Sequence, residues 1–134
     1  MKVLFVCNGN VARSQEAETF FTSLVSERHC AMSAGVDVRV GKPLDPLVLT
    51  VMREVGYRMD NAERKMITES MVFDADMVVS FKPIAELPPF SLAIRDFRYW
   101  PVADPRGQSL RFHRDVRDQI RELVQDLVHE FELV

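Results

Sequence analysis

Cys7 and Arg13 bracket a loop whose residue types could do chemistry, CNGNVARS at residues 7–14. A phosphate-like dianion entering it would meet the backbone amides of Asn8, Gly9, Asn10, Val11, Ala12, Arg13 and Ser14, converging where a helix begins. Gly9 permits the positive φ that such a cradle can require, and Asn10 tolerates one better than most residues. Arg13 adds a permanently charged fork able to hold two oxygens at once. The same positive field acts on the Cys7 sulfur, and the thiolate is the nucleophilic form of cysteine. Ser14 is placed to donate its hydroxyl to that sulfur. A cysteine ending a core strand more often simply packs, and about one chain in ten with two cysteines carries some C-x5-R by chance. The surroundings give the spacing its weight: an apolar run before the loop, Asn and Gly within it, and a helix start after it.

A thiol-phosphate intermediate also needs an acid. The leaving oxygen must be protonated, and a base must then activate water. Asp104 is the candidate, because the Asp104-Pro105-Arg106-Gly107 turn directly follows a predicted strand. No cofactor and no metal enter this scheme.

These residues must be held by a frame, and the chain supplies one. Val3–Val6 is a continuous apolar run of the kind buried on both faces of a parallel sheet. A helix follows from about residue 13 to 27, its buried stripe Ala17, Phe20, Phe21, Leu24 and Val25. Glu16 and Glu18 in its first turns suit the positive end of its dipole. A second strand spans residues 29–34, closed by Gly35. Asp45 and Pro46 start a helix that ends at Gly56. Thr68 caps a short helix to about Phe73, and Met77, Val78 and Val79 lie in a third strand. Pro83, Pro88 and Pro89 keep residues 82–91 from being one regular element throughout. A fourth strand covers about Phe97 to Trp100, and a long helix runs from about Leu110 to Phe131. Strands alternating with helices imply an α/β fold with a parallel sheet, and ligands in such folds bind outside the carboxyl ends of the strands. The Cys7 loop lies at that edge.

With 134 residues and 47% hydrophobic content, the chain has room for one packed core, so a single domain over 1–134 is expected. The net charge of -3, with Lys and Arg scattered among acids, excludes a nucleic-acid binder. No apolar run reaches bilayer length, and Lys2–Val6 is too short for a signal-peptide core. A cytoplasmic protein that binds neither nucleic acid nor membrane is the expectation.

At this point the chain resembles the low-molecular-weight protein tyrosine phosphatases and the arsenate reductases that share their fold. The residues that carry the resemblance are the loop at 7–14, Ser33-Ala34-Gly35, the helix after Asp45, the Ile67-Thr68 helix start and the Asp104-Pro105 turn. It implies a three-layer α/β/α sandwich around a four-stranded parallel sheet. It also implies Cys7 as nucleophile, Arg13 as phosphate binder and transition-state clamp, Ser14 as partner of the sulfur, Asn10 as the residue shaping the loop, and Asp104 as general acid and then base. Its substrates would be a phosphorylated protein or a small phosphate ester, phosphotyrosine or another aryl phosphate first. The alternative is arsenate, reduced with an external thiol, glutaredoxin or thioredoxin.

Trp100 before a DPxG turn, and Gln15 after Ser14, resemble the reductases. Against them, thioredoxin-coupled reductases carry two further cysteines after the third strand, where residues 81–91 contain none. Cys30, the one other thiol, is expected in the core rather than in a relay. Tyr57, Phe81, Phe90 and Tyr99 are the aromatic residues available to wall a substrate slot, and Arg39, Lys42 and Arg106 the cations available for its rim. A non-catalytic oxyanion sensor is disfavoured, since a binder needs neither nucleophile nor acid.

Overall fold

The computed structural model describes residues 1–134. Four strands form one parallel sheet in the order β2-β1-β3-β4: β1 Lys2–Cys7, β2 Cys30–Gly35, β3 Met77–Ser80 and β4 Phe97–Tyr99. β1 pairs with β2 from Lys2 opposite Cys30 to Cys7 opposite Gly35, and with β3 on its other side from Val3 opposite Met77. The side-chain alternation of a strand splits β1 between two cores. Val3, Phe5 and Cys7 pack under α1 (Arg13–Leu24), α2 (Pro46–Glu54) and α4 (Leu110–Glu130). Leu4 and Val6 face α3 (Glu69–Asp74) and the two 3-10 turns at Ile84–Glu86 and Pro89–Ala93. The result is the three-layer sandwich that the resemblance implied, with β1 buried on both faces as the apolar run at residues 3–6 predicted.

Three helices begin on a side chain that accepts from their first turn: Asp45 from the Leu47 N–H, Thr68 from Met71 and Ser109 from Phe112. Each such cap contributes about 1 kcal/mol. α1 has no side-chain cap at Ala12, which leaves its first amides free for the site described below. α2 is fixed against α4 by Arg117, which donates to the Val51 carbonyl at 2.9 Å and to Glu54 at 2.8 Å, while Arg114 holds the same carboxylate. Hydrogen bonds from Arg114, joined by those from Arg117, keep the Glu54 carboxyl below its ordinary range.

Two expectations fail, each for a physical reason. Cys30 is exposed. It opens an edge strand of which only the last three residues, Ser33 to Gly35, are buried. Glu16 does not sit as a charged group at the dipole of α1. Its side chain is fully buried and neither carboxyl oxygen has a partner. Burial pushes its pKa from 4.5 up to about 8, with the charge of Arg117 pulling the other way.

Between those two values the folded chain holds a proton that the unfolded chain has shed. The stability tied to that proton is full below pH 4.5 and is lost as pH rises through about 8. Glu16→Met is therefore expected to stabilise the protein more at pH 9 than at pH 5, by a difference on the order of a few kcal/mol in urea unfolding. Equal gains at the two pH values would contradict the buried acid.

Candidate active site

The Cys7 loop joins the carboxyl end of β1 to the amino end of α1, and its shape is set from behind by Asn10. That residue is fully buried and takes the left-handed backbone at φ 53°, whereas Gly9 has no positive φ. The conformational freedom expected of Gly9 is thus unused, because the Asn10 side chain stabilises the turn directly. Asn10 Oδ1 accepts from the Lys65 N–H at 2.8 Å and from Gln15 Nε2 at 2.9 Å. Its amide nitrogen is thereby turned to Ser14, donating to Oγ at 2.8 Å. With that oxygen accepting, the Ser14 hydroxyl hydrogen is left for the Cys7 sulfur, 2.9 Å away. The Asn10 N–H points at the same sulfur at 3.3 Å. Two donors therefore converge on Cys7, which suits a thiolate and a leaving thiolate alike.

Gly35 explains why the loop can lie where it does. A Cβ on Gly35 would stand 2.6 Å from the Asn8 carbonyl oxygen and 2.8 Å from the Asn10 nitrogen. Only glycine lets the end of β2 pass this close. Two further contacts were not read from the sequence. Gln15 is buried and ties the loop to the Glu63 carbonyl at 2.8 Å. Lys82, just after β3, donates to Asn8 Oδ1 at 2.9 Å.

Above the sulfur the loop offers donors. The backbone amides of Asn8, Gly9, Val11, Ala12, Arg13 and Ser14 have no acceptor within the protein. Arg13 is held by the Val102 carbonyl at 3.0 Å and lies over the Phe81 ring at 5.8 Å. Its other amino group faces Asp104 Oδ2 at 3.6 Å. The second Asp104 oxygen accepts from the Arg106 N–H at 3.0 Å, the local turn that the Asp-Pro sequence favours. The Asp104 side chain stays 40% exposed, while that of Arg13 is 9% exposed. The arrangement can bind a tetrahedral oxyanion, attack it from below and exchange a proton from above.

One pocket joins these groups, opening to solvent around about 380 Å³. Cys7, Asn8, Gly9, Val11, Ala12, Arg13 and Asp104 line it, whereas Asn10 and Ser14 lie behind the cradle. Asp45, Val48, Arg106 and His113 complete the wall. Of the rim cations, Arg106 reaches it and Arg39 and Lys42 do not. None of the four aromatic candidates lines it. Phe81 packs under Arg13 and against Trp100, and Tyr57 packs on Phe20. Trp100 contacts Phe5 as well, so its place before the turn is a packing role. His113 was missed, although it lies one turn before Val116 and Arg117 on the buried stripe of α4.

Cys30 is remote. It pairs with Lys2, five residues along the sheet from Cys7, roughly 16 Å at strand rise. That is beyond the reach of a disulfide. No group of three or more His, Cys, Asp or Glu side chains could hold a metal ion, and no helix is long and apolar enough to cross a membrane.

Against known proteins, a family model described as low molecular weight phosphotyrosine protein phosphatase matches residues 2–133. A glutaredoxin arsenate reductase of Synechocystis is 34% identical over 128 residues, 95% of each chain. Among solved structures, an arsenate reductase in a phosphate-binding state superposes with a TM-score of 0.81 at 32% identity, covering 96% of this chain and 97% of that one. The arginine phosphatase YwlE, in a form with a phosphorylated active-site serine, superposes at 0.86 with 25% identity, covering 98% and 96%.

Proposed function

The chain belongs to the low molecular weight phosphotyrosine protein phosphatase family, and from that membership we propose that it hydrolyses phosphate monoesters through a phosphocysteine on Cys7. The loop amides and Arg13 bind the phosphoryl oxygens. The Cys7 thiolate attacks phosphorus, an S–P bond forms, and the bond to the leaving oxygen breaks as Asp104 hands that oxygen a proton. Water then attacks phosphorus, Asp104 takes its proton, and the sulfur leaves as thiolate, helped by the Ser14 hydroxyl and the Asn10 N–H. Residues 1–134 act in this scheme as one domain working in the cytoplasm.

The observation that carries this reading is Asp104. Its carboxylate stands 3.6 Å from Arg13 at the mouth of the Cys7 pocket and remains open to a substrate. Transfer from an ester needs a proton donor for the leaving oxygen. Aryl phosphates, phosphotyrosine among them, ask least of that donor, because a phenoxide leaves readily.

A specific observation favours a second reading, arsenate reduction. The pocket has no aromatic wall, and the glutaredoxin arsenate reductase covers the chain at 34% identity. Here arsenate would condense with Cys7 and lose hydroxide. An external thiol would then attack the sulfur, releasing arsenite and leaving a mixed disulfide, which a second thiol resolves. The two thiols supply the two electrons. With Cys30 at the far end of the sheet, both must come from glutathione and glutaredoxin or a similar donor.

One paired assay separates the readings. Hydrolysis of para-nitrophenyl phosphate is expected, and arsenate-dependent NADPH consumption with a glutathione–glutaredoxin system is not. Turnover of arsenate without ester hydrolysis would overturn the phosphatase reading.

A further inference from the structure

His113 belongs to the first turn of α4 and is 1% exposed, yet neither of its ring nitrogens has a hydrogen-bond partner. A buried polar group left unpaired has given up its hydration for no bond in return, and native chains keep few such groups. This one lines the same pocket as Cys7, Arg13 and Asp104. The chemistry of the wall changes with it. Besides the loop, the pocket is bounded by Asp45, Val48, Asp104, Arg106 and His113, of which Val48 alone is apolar.

We propose that His113 is a specificity-determining residue of this pocket, whose ring hydrogen-bonds the outward side of a bound tetrahedral oxyanion. When the sulfur lies in line with the phosphorus, three oxygens face the loop amides and Arg13, and the fourth points out toward the walls. In a free phosphate or arsenate that fourth atom is a hydroxyl or oxide. In an ester it bridges to the leaving group. At least one nitrogen of an imidazole always carries a hydrogen, so the ring can donate to that oxygen. Binding then satisfies a group that has no partner within the protein. In an aryl ester that bridging oxygen is a weak acceptor, its lone pairs drawn into the ring, so the imidazole gains far less, which is the situation that gives a polar site its discrimination. The favoured substrate class is therefore free tetrahedral oxyanions and esters with small, hydrogen-bonding leaving groups.

This inference rests on the Cys7 loop being an oxyanion cradle, and the test keeps the two apart. Inorganic phosphate is titrated calorimetrically into the wild type, His113→Phe and His113→Gln, and the KM for para-nitrophenyl phosphate is measured beside it. His113→Phe is expected to weaken phosphate about tenfold relative to the aryl ester, and His113→Gln, which keeps a donor, to recover most of the loss. A role in packing alone would move both ligands together, or would leave the glutamine variant as impaired as phenylalanine. Either result overturns the proposal. Should the phenylalanine variant not fold, nitrogen NMR of the wild-type His113 ring decides. Its resonances move on saturation with phosphate if the bond forms, and unmoved resonances exclude it. A wild type that binds phosphate but hydrolyses no ester would sink the phosphatase reading and leave this one standing.

Discussion

Cys7→Ser is expected to lower turnover of para-nitrophenyl phosphate by roughly 10³-fold or more while leaving inorganic phosphate bound nearly as well. The two halves follow from different atoms. Catalysis requires an anionic nucleophile under the phosphorus. The Ser14 hydroxyl and the Asn10 N–H at 2.9 and 3.3 Å from the sulfur can stabilise a thiolate, but a serine hydroxyl holds its proton far more tightly. Asp104 stands beside Arg13, where the proposed mechanism uses it for the leaving group and not to deprotonate residue 7. Binding depends on the loop amides and Arg13, which the substitution does not touch. Nor should the loop collapse, because Asn10, Gln15 and Lys65 shape it through bonds that do not involve Cys7. Stopped-flow turnover and phosphate calorimetry on the same preparation give both numbers. Full turnover in the serine variant would remove the covalent intermediate.

What the sequence made legible was whatever depends on local pattern. The continuous apolar run at Val3–Val6 announced a strand buried on both faces, and Asp45-Pro46 announced α2 to the residue. The loop at 7–14 was legible as a cradle between strand and helix with Cys7 at its floor, which is its geometry in the structure. What stayed hidden depends on which surfaces meet. Glu16 reads as a favourable first-turn acid on an isolated helix. It becomes a buried, unpaired acid in the fold, where α1 packs against α4 and Arg117 of α4 acts on its charge. Cys30 reads as core from its type, and its exposure follows from the edge position of β2 and the burial of that strand at one end alone. Phe81 and Tyr57 were available as slot walls by composition, yet each faces inward to a partner ring or to Arg13. Of the polar wall only Arg106 was legible, as a rim candidate, because Asp45 and His113 come from separate segments that the fold brings together.

Asp104→Ala should separate substrates by their leaving groups. For para-nitrophenyl phosphate, whose phenolate departs without much help, a loss of about tenfold is expected. For phenyl phosphate the loss should reach roughly 10²–10⁴-fold, the range in which a positioned proton donor acts. The carboxylate also neutralises Arg13 across 3.6 Å. Removing it leaves the guanidinium, still anchored to the Val102 carbonyl at 3.0 Å, with its charge uncompensated. Inorganic phosphate should therefore bind more tightly to the alanine variant even as turnover falls. Asp104→Asn refines the result. It can still accept from the Arg106 N–H, as Asp104 does at 3.0 Å, so the turn persists. It carries neither the negative charge nor an acidic proton to transfer. If Asp104 acts by proton transfer, asparagine and alanine lose the same leaving-group dependence and both gain affinity for phosphate. If it acts by holding the turn, asparagine keeps near-wild-type rates. Equal losses for the two esters would take Asp104 out of the acid role and leave its pairing with Arg13 as its contribution.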